Sequence, residues 1–163
     1  MDQRDFPQFY QRNVQRIYKF LYYRVGGNKE LAQDLTQDVF LKAFQAFDRY
    51  DEKISQSSWI YTIARNHLIN QIAKNKPTID LEVIENTIWD TDDWAKRTEI
   101  RDDEKHLLEA MKRLPHDDGE LLRRKHLEGW TFDELAEQMN TTAGALRVRS
   151  SRAIKQLRTM LRP

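Results

Sequence analysis

Residues Trp130–Arg158, "WTFDELAEQMNTTAGALRVRSSRAIKQLR", change character half-way along. The first half is acidic and brings apolar residues back at helical spacing, whereas the second carries five basic residues and no acidic one. Thr131 stands where an N-cap belongs, and Glu134 three residues on completes a capping box. Leu135, Ala136 and Met139 then face inward, and Ala136 is small enough for a second helix to cross closely. In "NTTAG", Asn140 suits the left-handed backbone of a tight turn and Thr142 suits the cap of the next helix. That helix has an inner face of Leu146, Ala153, Leu157 and Met160 or Leu161, with Ser150 on the same stripe where an aliphatic residue would pack better. Its outer face presents Arg147, Arg149, Arg152, Lys155 and Arg158. Together these predict a helix-turn-helix whose cations reach base edges and phosphates. A merely solvated basic helix, complementing its own dipole, would require neither the cap nor the small residue nor the turn.

The rest of the chain is also helical in pattern. Phe6, Phe9, Tyr10, Val14, Ile17, Tyr18, Leu21 and Val25 recur at helical spacing up to the stop "VGGNKE", Val25–Glu30. Asn28 is placed to cap a second helix striped with Leu31, Leu35, Val39, Ala43 and Phe47, which Phe40 and Phe44 widen until it is buried on more than one side. After the polar connection Asp48–Ser58, a third helix turns Ile60, Ile63, Ala64, Leu68 and Ile72 inward and ends before Pro77. Three such helices close a small bundle. From Thr78 to Glu104, ten acidic residues meet three basic ones, with Trp89 and Trp94 among them, and nothing there could form a core alone. Helical spacing resumes at Leu107, Leu108, Met111 and Leu114, and Asp118 is expected to cap the helix that Gly129 ends. The expected fold is therefore all-α, with two small helical domains, residues 1–76 and 105–163, joined by an acidic linker over 77–104.

Two features of the first domain ask for a function. Asp34 and Asp38 lie one turn apart with Gln37 beside them, opposite the apolar stripe. Spacing alone leaves this face open between a general acid/base pair and a hydrated acidic face. Residues 53–76 carry Lys53, Arg65, Lys74 and Lys76, no acid, and the aromatics Trp59 and Tyr61. Cations interleaved with rings suit single-stranded DNA, although rings at helical spacing also suit a core.

Composition narrows the class. In 163 residues of net charge +1 there is no cysteine, hence no disulfide framework and no thiolate metal site, as suits a cytoplasmic protein. The chain has no apolar run long enough to span a membrane, and "MDQRDFPQFYQ" lacks the apolar core of a secretory signal. His67, His106, His116 and His126 have no metal-ligand spacing, and the paired carboxylates come with no nucleophile. Neither a cofactor nor an enzymatic reaction is expected.

Four blocks in order, "AQDLTQDVFLKAF" (32–44), "SSWIYTIARNHLINQIAK" (57–74), "MKRLPHDDGELLRRKHLEGWTFDELAEQM" (111–139) and "TAGALRVRSSRAIKQLR" (142–158), separated by the acidic stretch, make the chain resemble a bacterial RNA polymerase sigma factor. It is similar to the compact extracytoplasmic-function (ECF) group, which keeps only sigma domains 2 and 4. The resemblance implies a transcription initiation factor that binds core RNA polymerase, through its β′ clamp helices and β flap, and brings it to promoter DNA. Asp34, Gln37 and Asp38 would be polar contacts to the clamp helices. Ser55, Ser57 and Ser58 would shape a pocket for a flipped base of the −10 element. Trp59 and Tyr61 would lie near the melted edge, and Arg65, Asn66 and Lys74 would hold the strand. Arg147, Val148, Ser151 and Arg152 would face the bases of the −35 element, with Thr142 and Arg149 nearer its backbone. The resemblance also implies an anti-sigma partner that masks the Asp34–Asp38 face and the basic helix. Val148 stands where the family often has serine, Asn70 where it often has aspartate, and the loop before Trp59 lacks the usual Phe-Arg. The rival reading is a dimeric helix-turn-helix regulator with no polymerase contact, for which a long acidic tether is a poor join.

Overall fold

A computed structural model of the protein describes residues 1–75 and 101–162. Most of the expected linker, with Trp89 and Trp94, lies outside the described residues. The chain divides between residues 99 and 100 into two compact units. Every regular element among the described residues is helical.

The N-terminal unit is a bundle of α1 (Phe6–Arg24), α2 (Lys29–Ala46) and α3 (Gln56–Asn75), each packed on both others. Asn28 caps α2 as expected, its side chain accepting a hydrogen bond from the Leu31 N–H at 3.1 Å. Ile17, Phe20 and Leu21 from α1, Leu35, Val39 and Ala43 from α2, and Ile60, Ala64 and Leu68 from α3 are buried. Each large apolar side chain so buried contributes about 1.5–3 kcal/mol. Phe9, Phe47 and Trp59 form an aromatic cluster, with ring centroids 5.2–6.2 Å apart. Two expectations change here. Phe44 does not deepen the core: it is 40% exposed, because it lies on the far flank of α2 from the α3 contact. Ile63 and Ile72 are only half-buried, while His67 and Ile69 take the interior positions beside them.

The C-terminal unit contains α4 (Asp102–Lys112), α5 (His116–Leu122), α6 (Phe132–Gln138) and α7 (Ala143–Leu161). Helix α7 packs on all three of the others. Helix α5 starts directly after Pro115, so Asp118 lies in its first turn and is not its cap. The helix then continues through a π-helical turn, Arg123–Leu127, in which the Glu128 N–H reaches back five residues to the Arg123 carbonyl at 3.1 Å. This turn and its ends bury charge that the sequence pattern did not mark as interior. Arg124 and Glu120 are both buried and sit 3.9 Å apart, and the Arg124 guanidinium lies 5.3 Å from the centre of the buried Trp130 ring. The Trp130 indole N–H donates to Glu128 at 3.0 Å. Charges this deep persist only when paired in this way.

Helices α4 and α5 approach so closely that a Cβ on Gly119 would lie 2.7 Å from the Met111 carbonyl oxygen. Helix propensity favours alanine over glycine by about 1 kcal/mol, but forcing a methyl onto a packed backbone costs about 1–3 kcal/mol, so the clash decides. Gly119→Ala is expected to speed hydrogen exchange across α4–α7. Gly144→Ala, whose Cβ would meet nothing within 4 Å, is expected to slow it.

Candidate nucleic-acid interface

The helix-turn-helix forms as its sequence requires. The Thr131 hydroxyl accepts from the Glu134 N–H at 3.2 Å while the Glu134 carboxylate accepts from the Thr131 N–H at 2.8 Å, the reciprocal pair of a capping box. Asn140 takes φ +52°, which ends α6 and turns the chain. Thr142 then caps α7, accepting from the Ala145 N–H at 3.2 Å. Leu146, Ser150 and Ala153 are buried on the inner side of α7, so the polar Ser150 does belong to the core stripe. Met160 rather than Leu161 continues that stripe: it packs on the core, and Leu161 is 44% exposed.

At about 100° per residue, Val148, Ser151 and Arg152 fall on the side of α7 away from Leu146, Ser150 and Ala153, and Arg147 falls about 90° round from that buried stripe. All four are exposed, Val148 by 51%. The Arg147 guanidinium also lies 5.6 Å from the centre of the Phe132 ring, which Lys125 approaches at 4.9 Å. Arg149 departs from the expected outer face. It falls on the flank of α7 and reaches back to α5, where its Nη2 and Nε meet Asp118 Oδ1 at 2.7 and 3.0 Å. The spacing could not reveal that partner, because Asp118 lies 31 residues earlier.

On α2, Asp34, Gln37 and Asp38 are all exposed, with Asp38 at the edge of the helix that meets α3. Beside them the sequence reading missed an apolar groove of about 330 Å³, lined by Phe6, Tyr10, Phe40, Leu41 and Phe44 with Gln37 at its edge. Leu41 is 57% exposed. One signal was available: Leu41 follows Gln37 and Asp38 on the polar side of the helix.

At the start of α3, the Ser55 hydroxyl oxygen accepts from the Ser58 N–H at 3.2 Å and lies 2.9 Å from the Ser58 hydroxyl, so it caps the helix. Ser57 is buried, which leaves Ser55 and Ser58 as the accessible pair of the expected pocket. Trp59 is half-buried against Phe9, Phe47 and Tyr50, and Tyr61 packs edge-on against Phe20. Each therefore serves the core with part of its ring. Ser58, Thr62, Asn66, Asn70 and Lys74 follow at four-residue steps along α3 as one polar row, to which Thr62 is an unexpected addition. Arg65 flanks that row, half-buried.

Comparison with known proteins accounts for both units. Sigma-70 region 2 matches residues 9–78 and Sigma-70, region 4 matches residues 105–157. The chain belongs to the ECF group of the sigma-70 family. It is 29% identical over 161 residues to the ECF RNA polymerase sigma factor BldN of Streptomyces coelicolor, with 96% of this chain aligned to 60% of that protein. It is 28% identical to the RNA polymerase sigma factor CarQ of Myxococcus xanthus, covering 96% of this chain and 88% of that one. The fold is similar to that of the sigma factor RpoE from Bartonella quintana, solved in complex with the anti-sigma factor NepR, at a TM-score of 0.58 and 21% identity over 96% of each chain. This sigma factor is a transcription initiation factor that directs RNA polymerase to promoters.

One further contact in the sigma factor's region 2 joins two of these faces. His67 on α3 is 5% exposed, and its Nε2 lies 3.3 Å from Oδ2 of Asp38 on α2. Burial is the main cause that holds this imidazole below its ordinary pKa, and the Lys42 charge adds to it. The hydrogen bond and charge of Asp38 oppose them, and Lys74 acts with Lys42. The unfolded chain therefore takes up a proton near pH 6.5 that the folded unit resists. Stability from this source is complete above that pH and is lost as pH falls through the lower, folded value. His126 is shifted the same way by burial in the other unit, so the readout must be local. Hydrogen exchange across α1–α3 is expected to quicken between pH 7.5 and 5.5, after correction for intrinsic exchange. His67→Gln is expected to shrink that pH dependence.

Proposed function

We propose that residues 1–76 dock on core polymerase and open the −10 element, that residues 105–163 read the −35 element, and that residues 77–104 tether the two. Asp34, Gln37 and Asp38 meet cationic groups on the β′ clamp helices, and the neighbouring groove of Leu41, Phe44 and Tyr10 takes up apolar side chains there. Ser55 and Ser58 border the site of a flipped −10 base. The row from Ser58 to Lys74, with Arg65, holds the strand, and the exposed parts of Trp59 and Tyr61 stack at the melted edge. Arg147, Val148, Ser151 and Arg152 face the major groove. Arg149 braces α7 against Asp118 and gives little to DNA while that pair holds. Region 4 also contacts the β flap.

The observation that carries this reading is the outward set on α7, since four exposed side chains lie clear of the buried stripe of a capped helix-turn-helix. The factor is a cytoplasmic protein with no reaction or cofactor of its own. An anti-sigma partner covers the Asp34–Asp38 face and α7 when transcription is not required, in keeping with the complexed state of the similar Bartonella quintana protein.

Co-elution with core RNA polymerase on a sizing column tests the docking assignment. A stable complex is expected, and it should be lost when Asp34 and Asp38 are both changed to Lys. An uncomplexed dimer that binds palindromic duplex DNA would instead support the ordinary regulator. For the −35 assignment, Arg147→Ala or Arg152→Ala should weaken binding of the holoenzyme to its matched promoter by about 1–3 kcal/mol, with polymerase binding intact.

A further inference from the structure

The contact between His67 and Asp38 carries an inference beyond these assignments, one that rests on the docking reading of Asp38. We infer that His67 is a positioning residue for polymerase docking: from the core of the bundle it holds the Asp38 carboxylate in the orientation that a cationic partner meets. Three observations support it. The ring is 5% exposed while the Asp38 side chain is 53% exposed, so a fixed group grips a solvent-facing one. The Nε2–Oδ2 distance is 3.3 Å. The other ring nitrogen, Nδ1, is buried with no hydrogen-bond partner among the described residues. A neutral imidazole has a single N–H, and only the Nε2 side offers it an acceptor, so the proton belongs on Nε2 and is donated to Asp38.

An exposed aspartate samples several rotamers, and a partner that binds one of them must freeze the rest. A side chain already held by a buried donor has met that cost during folding. The benefit in affinity corresponds to about two- to tenfold per side chain. The same contact joins the docking helix to the helix of the −10 row, because Asp38 belongs to α2 and His67 to α3. Lys42 on α2 and Lys74 on α3 are the other charged groups whose fields reach the ring, and neither supplies an acceptor for its N–H.

The test is equilibrium binding of the labelled full chain to core RNA polymerase at pH 7.5. Asp38→Asn should weaken binding. His67→Gln, which places an amide N–H near the former Nε2, should stay within about twofold of the original affinity. His67→Leu, which keeps bulk without a donor, should lose about two- to tenfold, and in the Asp38→Asn background it should add nothing. Asp38→Glu, at an exposed position that does not threaten folding, keeps the charge but moves the carboxylate away from the ring, and should lose a similar factor. Wild-type affinity for Asp38→Glu, or for a folded His67→Leu, would overturn the positioning role while the weakness of Asp38→Asn left the docking reading standing. Wild-type affinity for Asp38→Asn would overturn both.

Discussion

Trp59 packs where three parts of the N-terminal unit converge. Its ring lies 5.7 Å from Phe9 of α1, and 6.2 and 4.9 Å from Phe47 and Tyr50 in the chain leaving α2. Aromatic pairs at these spacings add about 0.5–1.5 kcal/mol each beyond the area they bury. The cluster therefore fixes where α3 begins and how its first turn faces. The Ser55 cap and the row from Ser58 to Lys74 inherit their direction from it. The Tyr50 hydroxyl, donating to the Ile54 carbonyl, holds the short connection folded against the same ring. A residue that the family resemblance assigns to DNA is thus also a keystone of the bundle.

The same economy governs both units. A unit of this size has too few residues to keep separate helices for core and for function. On α2, Leu35 and Val39 are buried while Asp34, Gln37, Asp38 and Leu41 face out. On α7, Leu146, Ser150 and Ala153 are buried while Arg147, Val148, Ser151 and Arg152 face out. The orientation of every outward side chain is then set by packing on the opposite side of its helix. Only a few polar contacts, such as His67 with Asp38 and Asp118 with Arg149, refine it further.

What the sequence made legible were features encoded within a few residues. The caps at Asn28, Thr131 and Thr142, the left-handed Asn140 and the alternate faces of α2 and α7 depend on neighbours one turn away. What it concealed depends on distant partners. Arg149 looks like any outward cation until Asp118 is brought beside it. His67 sits among apolar residues with nothing local to show that it reaches α2. Nothing local marks Arg124, Glu120 and Glu128 as interior, yet each is buried beside an opposite charge or an indole. Phe44 errs the other way: its hydrophobicity suggests burial, and among the described residues no third helix covers that side of α2.

The π-helical turn at Arg123–Leu127 has a bearing on how relatives should be aligned. A turn that closes over five residues in place of four accommodates one extra residue without lengthening the path through the fold. It delays by one residue the point at which the chain leaves the helix, at Gly129 with φ +83°. In relatives that lack the wide turn, the position equivalent to Trp130 should be found one residue closer to α5. A single-residue gap placed within 123–127 would then restore the register of the helix-turn-helix, whereas an ungapped alignment would superpose interior residues on exterior ones.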